Sequence, residues 1–413
     1  MSHDTGLERT VFANGLTVVS ERVPGVRSVA LGAWVRSASV DESRDLMGVS
    51  HMLEHLCFKA TERRTAREVA ASLESLGGSL DAYTSREHTS FQARVLDEHL
   101  LQAADVVADV MFRPLLRAED LALEKKVVLE EIAMVEDTPD DVVFELHNAD
   151  MWGDHPYGYS ILGTRGTVAG LRVEDLRALH ARAYVAANVV VGAAGNVSHQ
   201  QLVDALQATG WAELPATPAP ASERPPVPST RPGIHHVERD AAQSHIVFGS
   251  STLPHGDPRR HALVLVDTLL GGGMSSRLFQ RVREELALAY SVYTFQQYHR
   301  DSGVHGVYAG TAPESALDAV DAIRGELARL ATAGITADEL ASAKRQLKGQ
   351  ITLSMESVSS RMYRAAATEL FGEPWMTLDQ LLKQVDDITL DGARAACAEF
   401  FAPDRQTVVH LGP

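Results

Sequence analysis

Two histidines and a glutamate stand at a spacing that could bind a metal ion. His51, Glu54 and His55 lie within an apolar run of helical periodicity, and residues three or four apart on a helix share a face. Neutral imidazoles are good zinc ligands, and a catalytic zinc site takes three protein ligands and keeps a fourth position for water. The metal lowers the pKa of that water toward about 7, and Glu54 is placed to accept its proton. A hydrolytic zinc site is therefore predicted, although chance alone can also produce such a pentad.

A second helical pattern offers the third ligand. Glu131 follows well after His55 in the sequence, and Glu124 lies two turns before it on the same helix face. Glu131 would bind the metal directly, while Glu124 would orient a ligand or the bound water. Because Lys125 and Lys126 belong to the same helix, two acidic residues there are, taken alone, more typical of a solvated charged face.

A proline-rich stretch, residues 214–233, divides the chain into two halves of similar length. Its composition favours extended, solvated chain. We expect a metal-binding catalytic domain over residues 1–213 and a homologous domain without metal ligands over residues 234–413. The two halves show the same order of strand-like and helical patterns, which predicts an internal duplication.

One helix shows the duplication best. Residues 120–132 of the first half align without gaps onto residues 339–351 of the second. Glu124 then falls on Ala343 and Glu131 on Gln350, so the second half has lost the carboxylates and the chemistry belongs to the first. Coincidental similarity between two amphipathic helices is the alternative interpretation.

Periodicity also places the elements that must position these residues. The alternation of apolar and polar residues predicts strands, and a helical period predicts helices. Strands are predicted for residues 28–36, 80–84 and 90–95, and helices for residues 48–58, 99–111 and 118–135.

Composition limits the classes of protein that fit. The chain has 413 residues, 45% of them hydrophobic, and a formal net charge of −17. This acidity argues against nucleic-acid binding and would attract basic peptides, or it simply keeps the protein soluble. Cys57 and Cys397 lack metal-type spacing, so a metal must be bound through nitrogen and oxygen. Neither a membrane-spanning apolar run nor a signal-peptide pattern is present, and we therefore expect a cytoplasmic protein that does not bind membranes.

Five segments of the chain resemble the pitrilysin family of zinc peptidases, in which the motif is inverted to His-x-x-Glu-His and a distant Glu is the third ligand. The likeness covers nearly the whole chain and is closest to the catalytic (beta) subunit of the mitochondrial processing peptidase and its bacterial relatives. The segments that carry it are residues 51–59 (HMLEHLCFK), 77–89 (GGSLDAYTSREHT), 127–131 (VVLEE), 155–163 (HPYGYSILG) and 271–279 (GGGMSSRLF).

The resemblance implies both a fold and an activity. The fold would be α+β, with two homologous domains that each consist of an antiparallel sheet with helices packed on one face. The activity would be that of a zinc endopeptidase, with one Zn²⁺ per chain, which cleaves peptides or unfolded segments by water that Glu54 activates. The metal ligands would be His51, His55 and Glu131, and Glu124 would assist catalysis.

Substrate would bind as an added strand along residues 80–84, through backbone hydrogen bonds. The residues that the resemblance places there are Asp81, Ala82, Tyr83 and Thr84. Asp81 stands where Asn is more usual in the family, so the resemblance does not establish a side-chain contact with substrate at that position. Phe58 matches an aromatic residue of the pocket after the scissile bond, and core packing would explain it equally well.

The second half would also contribute to the site. Arg283 and Tyr290 match an Arg and a Tyr that contact the scissile carbonyl, where both can donate hydrogen bonds to developing negative charge. Without the resemblance, Arg283 would be a surface charge and Tyr290 a core aromatic residue. Asp141 and Glu145 match residues that recognise an Arg near the cut, which favours basic peptides as substrates, although a solvated acidic turn is the alternative.

Family members of this size pair their chains around a chamber. We therefore predict a homodimer in which Arg283 and Tyr290 act on the zinc site of the partner. A heterodimer, with this chain as the catalytic subunit of a processing peptidase, is the first alternative. A non-catalytic scaffold subunit is the second, and the intact ligands and base argue against it.

Overall fold

The computed structural model of this chain describes residues 6–221, 224–228 and 230–413. The proline-rich segment 214–233 is therefore seen except at residues 222, 223 and 229, which lie outside the described residues. Its described part forms neither helix nor strand until Gly233 begins a strand. Across the described residues, no helix is both long and apolar enough to cross a membrane.

The chain divides into two compact units that do not coincide with its two halves. Unit 1 contains Met1–Ala133, Tyr159–Arg224 and Leu353–Thr377, and unit 2 contains Met134–Gly158, Pro225–Thr352 and Leu378–Pro413. Each unit therefore includes a segment from the other half of the sequence. Composition along the chain gave no sign of this exchange.

Groups of strands and groups of helices follow one another along the described residues. The strands are β1 (Leu7–Val11), β2 (Thr17–Arg22), β3 (Ser28–Val35), β4 (Ser79–Thr84), β5 (Thr89–Leu96), β6 (Val189–Gly195), β7 (Gly233–Glu238), β8 (Ser244–Thr252), β9 (Ala289–Tyr298), β10 (Gly303–Thr311) and β11 (Thr407–Gly412). The helices are α1 (Val49–Cys57), α2 (Ala66–Glu74), α3 (Leu100–Phe112), α4 (Ala118–Glu136), α5 (Pro139–Trp152), α6 (Arg165–Gly170), α7 (Val173–Ala183), α8 (His199–Ala208), α9 (Arg260–Gly271), α10 (Ala316–Ala333), α11 (Ala337–Ser354), α12 (Val358–Phe371), α13 (Leu378–Asp386) and α14 (Leu390–Phe400).

The two sheets share one topology. Unit 1 has the strand order β1-β2-β6-β3-β5-β4, and unit 2 has the order β7-β11-β8-β10-β9. If β1 is left out, the second order repeats the first, with the strands in equivalent places. Each sheet has one parallel pair of strands, β2 with β6 in unit 1 and β7 with β11 in unit 2. All other neighbouring strands are antiparallel. The predicted α+β class with two sheet-and-helix domains is thus confirmed.

Two details of the predicted fold were wrong. The sheets are mixed rather than wholly antiparallel, because β6 and β11 each reach their parallel partner only after a long connection through helices. Helices also cover both faces of the sheets. Strand β3 is buried at every position from Val29 to Val35, and a strand without a solvent-facing side needs cover on two faces.

The second face of each sheet is covered by a helix from the other half of the sequence. In unit 1, Met362 and Ala366 of α12 pack against Trp34 and Val190 on the face opposite α1 and α3. In unit 2, Val143 of α5 packs in the same way against β8, β10 and β11.

A glycine permits the close approach of α5 to its sheet. A Cβ atom at Gly249 of β8 would clash with the ring of His147 on α5. Glycine is therefore required at this strand position for the helix to reach the sheet.

The duplication predicted from one helix extends over two. The offset that maps residue 120 onto residue 339 also maps the start of α4, residue 118, onto that of α11, residue 337, and the start of α5, residue 139, onto that of α12, residue 358. Both α5 and α12 have 14 residues. His147 and Ala366 are also equivalent under this offset, and both are buried. The same helix position therefore packs into each unit.

Candidate metal centre

Helix α1 carries the histidine motif on the side that faces away from the core. Its apolar residues Met52, Leu53 and Leu56 are buried in the main core of unit 1, which leaves His51 and His55 partly exposed.

An acidic cap fixes the start of this helix. The Glu42 carboxylate accepts hydrogen bonds from the backbone N–H groups of Gly48 and Ser50, both at 2.8 Å. These bonds satisfy two of the otherwise unpaired donors at the helix N-terminus, where negative charge is favourable. The position of the histidine motif is thereby tied to the loop that precedes it.

Helix α4 brings the third predicted ligand close to the two histidines. Leu121, Val128 and Ile132 bury one side of the helix in the core, so that Glu131 lies at the edge of the buried face. Glu131 Oε2 is 3.8 Å from His51 Nε2, and Glu131 Oε1 is 3.7 Å from His55 Nε2. Among the described residues, these three form the one group of histidine, cysteine or acidic side chains that could hold a metal ion, with ligand atoms within 4.8 Å of one another.

The three side chains fit a zinc ion. Ligand atoms about 2.1 Å from a tetrahedral zinc lie about 3.4 Å apart, close to the separations seen here, and a nitrogen–nitrogen–oxygen set is typical of catalytic zinc. Glu131 Oε2 is buried and has no hydrogen-bond partner among the described residues. A buried carboxylate oxygen is costly to leave unpaired, and a cation between it and the imidazoles removes that cost.

Burial keeps His51 ready to bind. It lowers the pKa of the His51 imidazole to about 4, and the neighbouring His55 acts in the same direction. At neutral pH the ring therefore carries no second proton, and protons do not compete with a metal for its free nitrogen.

Glu124 lies behind His55, in a position to orient it. Its carboxylate is buried, and Oε2 is 3.1 Å from His55 Nδ1. If Nδ1 carries the proton, the lone pair of His55 is on Nε2, the nitrogen nearer to Glu131. The other oxygen, Oε1, is 2.6 Å from Lys59 Nζ. Lys59 was missed by the sequence analysis, because only the folded turn after α1 brings it to Glu124.

Glu54 faces the same space from α1. Its carboxylate accepts a hydrogen bond of 2.7 Å from the Thr84 hydroxyl at the end of β4. Burial raises the pKa of the Glu54 carboxyl, while the Thr84 hydrogen bond and the nearby His55 act in the opposite direction. A carboxylate with a raised pKa is a better proton acceptor than one in water. The link to Thr84 joins the proposed base to the strand on which substrate was expected.

Strand β4 is an edge of its sheet, as a strand-binding site requires. Within the described residues it pairs with β5 alone, and its other side has no strand. Asp81 and Tyr83 alternate with the more buried Ala82 and Thr84 along it. The edge that the resemblance assigned to substrate is therefore open to an added strand.

Phe58 follows α1 and contacts the core. Its ring stacks on the core residue Phe91 with 5.9 Å between centroids. That contact agrees with core packing and leaves the pocket role a prediction.

The remaining predicted residues belong to unit 2, whereas the three predicted metal ligands belong to unit 1. The Arg283 guanidinium lies over the rings of Phe279 and Tyr290, 4.7 and 4.6 Å from their centroids. Tyr290 is 75% exposed at the start of the edge strand β9. Asp141 and Glu145 lie on α5. Arg283 and Tyr290 thus form a pair, and their relation to the metal ligands stays a prediction.

Comparison with known proteins gives consistent matches over nearly the whole chain. Residues 17–165 match the family model described as insulinase (peptidase family M16), and residues 170–347 match the peptidase M16 inactive domain. A protein of Streptomyces coelicolor described as an uncharacterized zinc protease is 38% identical, over 98% of this chain and 90% of its own. One of Bacillus subtilis with the same description is 38% identical, over 96% of each chain.

Two solved structures have the same fold. A peptidase M16 inactive domain from Pseudomonas fluorescens superimposes with a TM-score of 0.92 at 22% identity, over 99% of this chain and 98% of the other. A protease from Helicobacter pylori gives a TM-score of 0.91 at 22% identity, over all of both chains.

Proposed function

This chain is a zinc metallopeptidase of the M16 (insulinase) family, and we propose that it is an endopeptidase with its zinc ion, one per chain, held by His51, His55 and Glu131. The observation that carries the proposal is the meeting of these three side chains from α1 and α4, with a buried oxygen of Glu131 left without a partner among the described residues. A zinc ion held there supplies Lewis-acid activation of a carbonyl group and of a water molecule.

Glu54 moves the proton. Its carboxylate accepts a proton from the attacking water as the water oxygen bonds to the scissile carbonyl carbon, and it then gives that proton to the leaving nitrogen as the C–N bond breaks. The products are a carboxylate and an amine. The hydrogen bond from the Thr84 hydroxyl holds the Glu54 carboxylate in place for this transfer.

The open edge of β4 supports cleavage within a chain rather than at its ends. A peptide that adds to this edge is held mainly through its backbone, so many side chains are tolerated, and neither end of the peptide needs to be recognised. Thr84 is the last residue of β4 and touches Glu54. A peptide bound along Asp81, Ala82, Tyr83 and Thr84 would therefore run past the base.

The residues of unit 2 are proposed to act between two chains. Arg283 and Tyr290 carry hydrogen-bond donors, and the exposure of Tyr290 suits a contact with substrate or with a second chain. In a homodimer they would stabilise negative charge at the partner's scissile carbonyl. Asp141 and Glu145 would favour basic residues near the cut, through ion pairing with arginine.

Metal analysis combined with peptide cleavage tests the proposal. Purified chain should contain one zinc per chain and should cut a library of basic and neutral peptides. Glu54→Gln should keep the zinc and lose cleavage by at least about 10³-fold, because it removes the proton acceptor but none of the ligands. Cleavage that persists in Glu54→Gln, or zinc that is absent from wild type, would refute the proposal.

The oligomeric state of the purified protein, together with its activity and zinc content, separates the alternatives. A homodimer that cleaves without help agrees with the proposal. Activity that appears only after a second protein is added would indicate the catalytic subunit of a heterodimer. Zinc-free, inactive protein would indicate a scaffold. Equal cutting of basic and neutral peptides would remove only the role of Asp141 and Glu145.

A further inference from the structure

We propose that Lys59 is a positioning residue of the metal centre. It holds the Glu124 carboxylate in the orientation in which Glu124 fixes the ring of His55. The inference rests on the proposed function, because it takes His55 as a zinc ligand. It adds to the site a residue that touches neither metal nor substrate and acts through two side chains.

The contacts form a chain of three groups. Lys59 Nζ lies 2.6 Å from Glu124 Oε1, and Glu124 Oε2 lies 3.1 Å from His55 Nδ1. Each carboxylate oxygen thus has its own partner, on opposite sides of the group. The Glu124 side chain is 4% exposed, whereas that of Lys59 is 37% exposed. Water therefore reaches the lysine but not the carboxylate, and protein groups must satisfy the carboxylate.

Lys59 is placed by the end of α1. Its backbone N–H donates to the Leu56 carbonyl at 3.2 Å, in the turn that follows the helix. The helix that carries His51 and His55 therefore also fixes the starting point of the Lys59 side chain. The next residue after Glu124, Lys125, donates instead to the Ala169 carbonyl at 2.8 Å. Glu124 therefore pairs with Lys59 and not with its neighbour in the sequence, Lys125.

Removal of the ammonium group would affect His55. Oε1 of Glu124 would then be buried without a partner, which costs more for a charged group than for a neutral one. The carboxylate can relieve that cost by rotation toward water. That rotation weakens its hydrogen bond to Nδ1–H, and with it the fixed tautomer and ring orientation that make Nε2 a good ligand.

Zinc affinity of the full chain, measured by competition with a chromophoric chelator, tests the inference. Lys59→Met keeps the length of the side chain and removes the charge, and it should weaken zinc binding by roughly 10- to 100-fold, the usual effect of losing a group behind a ligand. Lys59→Arg should stay close to wild type. Lys126→Met is the matched control, because Lys126 is exposed on α4 and the change in net charge is the same; it should leave zinc affinity unchanged.

A double-mutant cycle with Glu124→Gln shows whether Lys59 acts through the carboxylate. In the Glu124→Gln chain, Lys59→Met should cause little further loss, because the group that it positions is already gone. Equal losses in both backgrounds would overturn the inference, as would wild-type zinc affinity in Lys59→Met. A loss in Lys59→Arg as large as that in Lys59→Met would assign the effect to packing and overturn it too. Wild-type protein that binds no zinc would instead refute the proposed function.

Discussion

Helices α4 and α5 of the first half and helices α11 and α12 of the second half occupy equivalent places at one constant offset in the sequence, yet they differ where chemistry is expected. Val128 of α4 and Leu347 of α11, which this offset makes equivalent, are both buried in their cores. Glu124 and Glu131, in contrast, are replaced by Ala343 and Gln350. The two helices thus share buried apolar positions but not carboxylates.

The buried position shows a physical reason for the difference. Glu124 is 3% exposed and has His55 and Lys59 as partners. Ala343 is equally buried, at 2% exposure, among apolar residues of unit 2. A buried carboxylate is tolerated only where its partners are present. Where such partners are absent, alanine is the more stable residue at a buried helix position.

The substitution with the largest expected effect replaces Glu131 of α4 with glutamine, the residue that α11 has at the equivalent position. Glu131→Gln should lose zinc and lower peptide cleavage by at least about 10³-fold, because metal activation supplies several kcal/mol of the barrier reduction. Metal content after dialysis and the rate of peptide cleavage measure the two effects. Zinc retained at one per chain would show that Glu131 is not a ligand and that the comparison rests on the wrong residue.

Placing a glutamate at the buried Ala343 of α11, as α4 has at the equivalent position, should destabilise the second half. Ala343→Glu places a carboxylate among apolar side chains, and we expect a loss of about 3 kcal/mol in the free energy of unfolding. Denaturant midpoints at neutral pH measure it. Ala343→Met, which is of similar size but uncharged, is the control and should lose less. Equal loss in both variants would assign the effect to volume rather than to charge.

Replacing the buried Glu124 of α4 with alanine, the residue of α11 at the equivalent position, should have a smaller effect. Glu124→Ala should weaken zinc binding by roughly 10- to 100-fold, because His55 loses the group that orients it but remains a ligand. Chelator competition measures the affinity, and the zinc-to-protein ratio at saturation should stay at one. A complete loss of zinc at saturation would place Glu124 among the ligands.

The smallest effect is expected at the exposed position of the second helix. Gln350→Glu gives α11 the acid that α4 has at this position, but the one group of side chains among the described residues that could hold a metal ion, His51, His55 and Glu131, lies in the first half. Stability should change by no more than about 0.5 kcal/mol, as for most surface substitutions. Zinc per chain should also stay unchanged. A second equivalent of bound zinc in this variant would show that the second half has kept more of a metal site than its sequence indicates.

Local patterns predicted the elements well. Helix α1 was predicted for residues 48–58 and is Val49–Cys57, and α4 was predicted for residues 118–135 and is Ala118–Glu136. Such helices are set by periodicity within a single segment. The grouping of His51, His55 and Glu131 could be predicted because spacing places the two histidines on one helix face, and because a second helical pattern offered Glu131, a choice that the resemblance supports.

Contacts between distant segments escaped prediction. Lys59 and Glu124 lie far apart in the sequence, and nothing in either segment indicates the pairing. The exchange of α5 and α12 depends on which apolar face of a sheet remains uncovered, a property of the folded unit and not of any short stretch. The parallel pairing of β2 with β6 has the same origin, since the two strands are also distant along the chain.

The place of α12 in unit 1 has a consequence for synthesis of the chain on the ribosome. The last strand of the first sheet ends at Gly195, but the helix that covers Trp34 ends only at Phe371. At a typical rate of ribosomal synthesis, the chain between these two residues takes roughly 10–35 s to make. During that time the nascent chain lacks the helix that covers this apolar sheet face in the folded protein, and exposed apolar surface of this kind promotes aggregation. For the same reason, the first half expressed alone would lack part of its core.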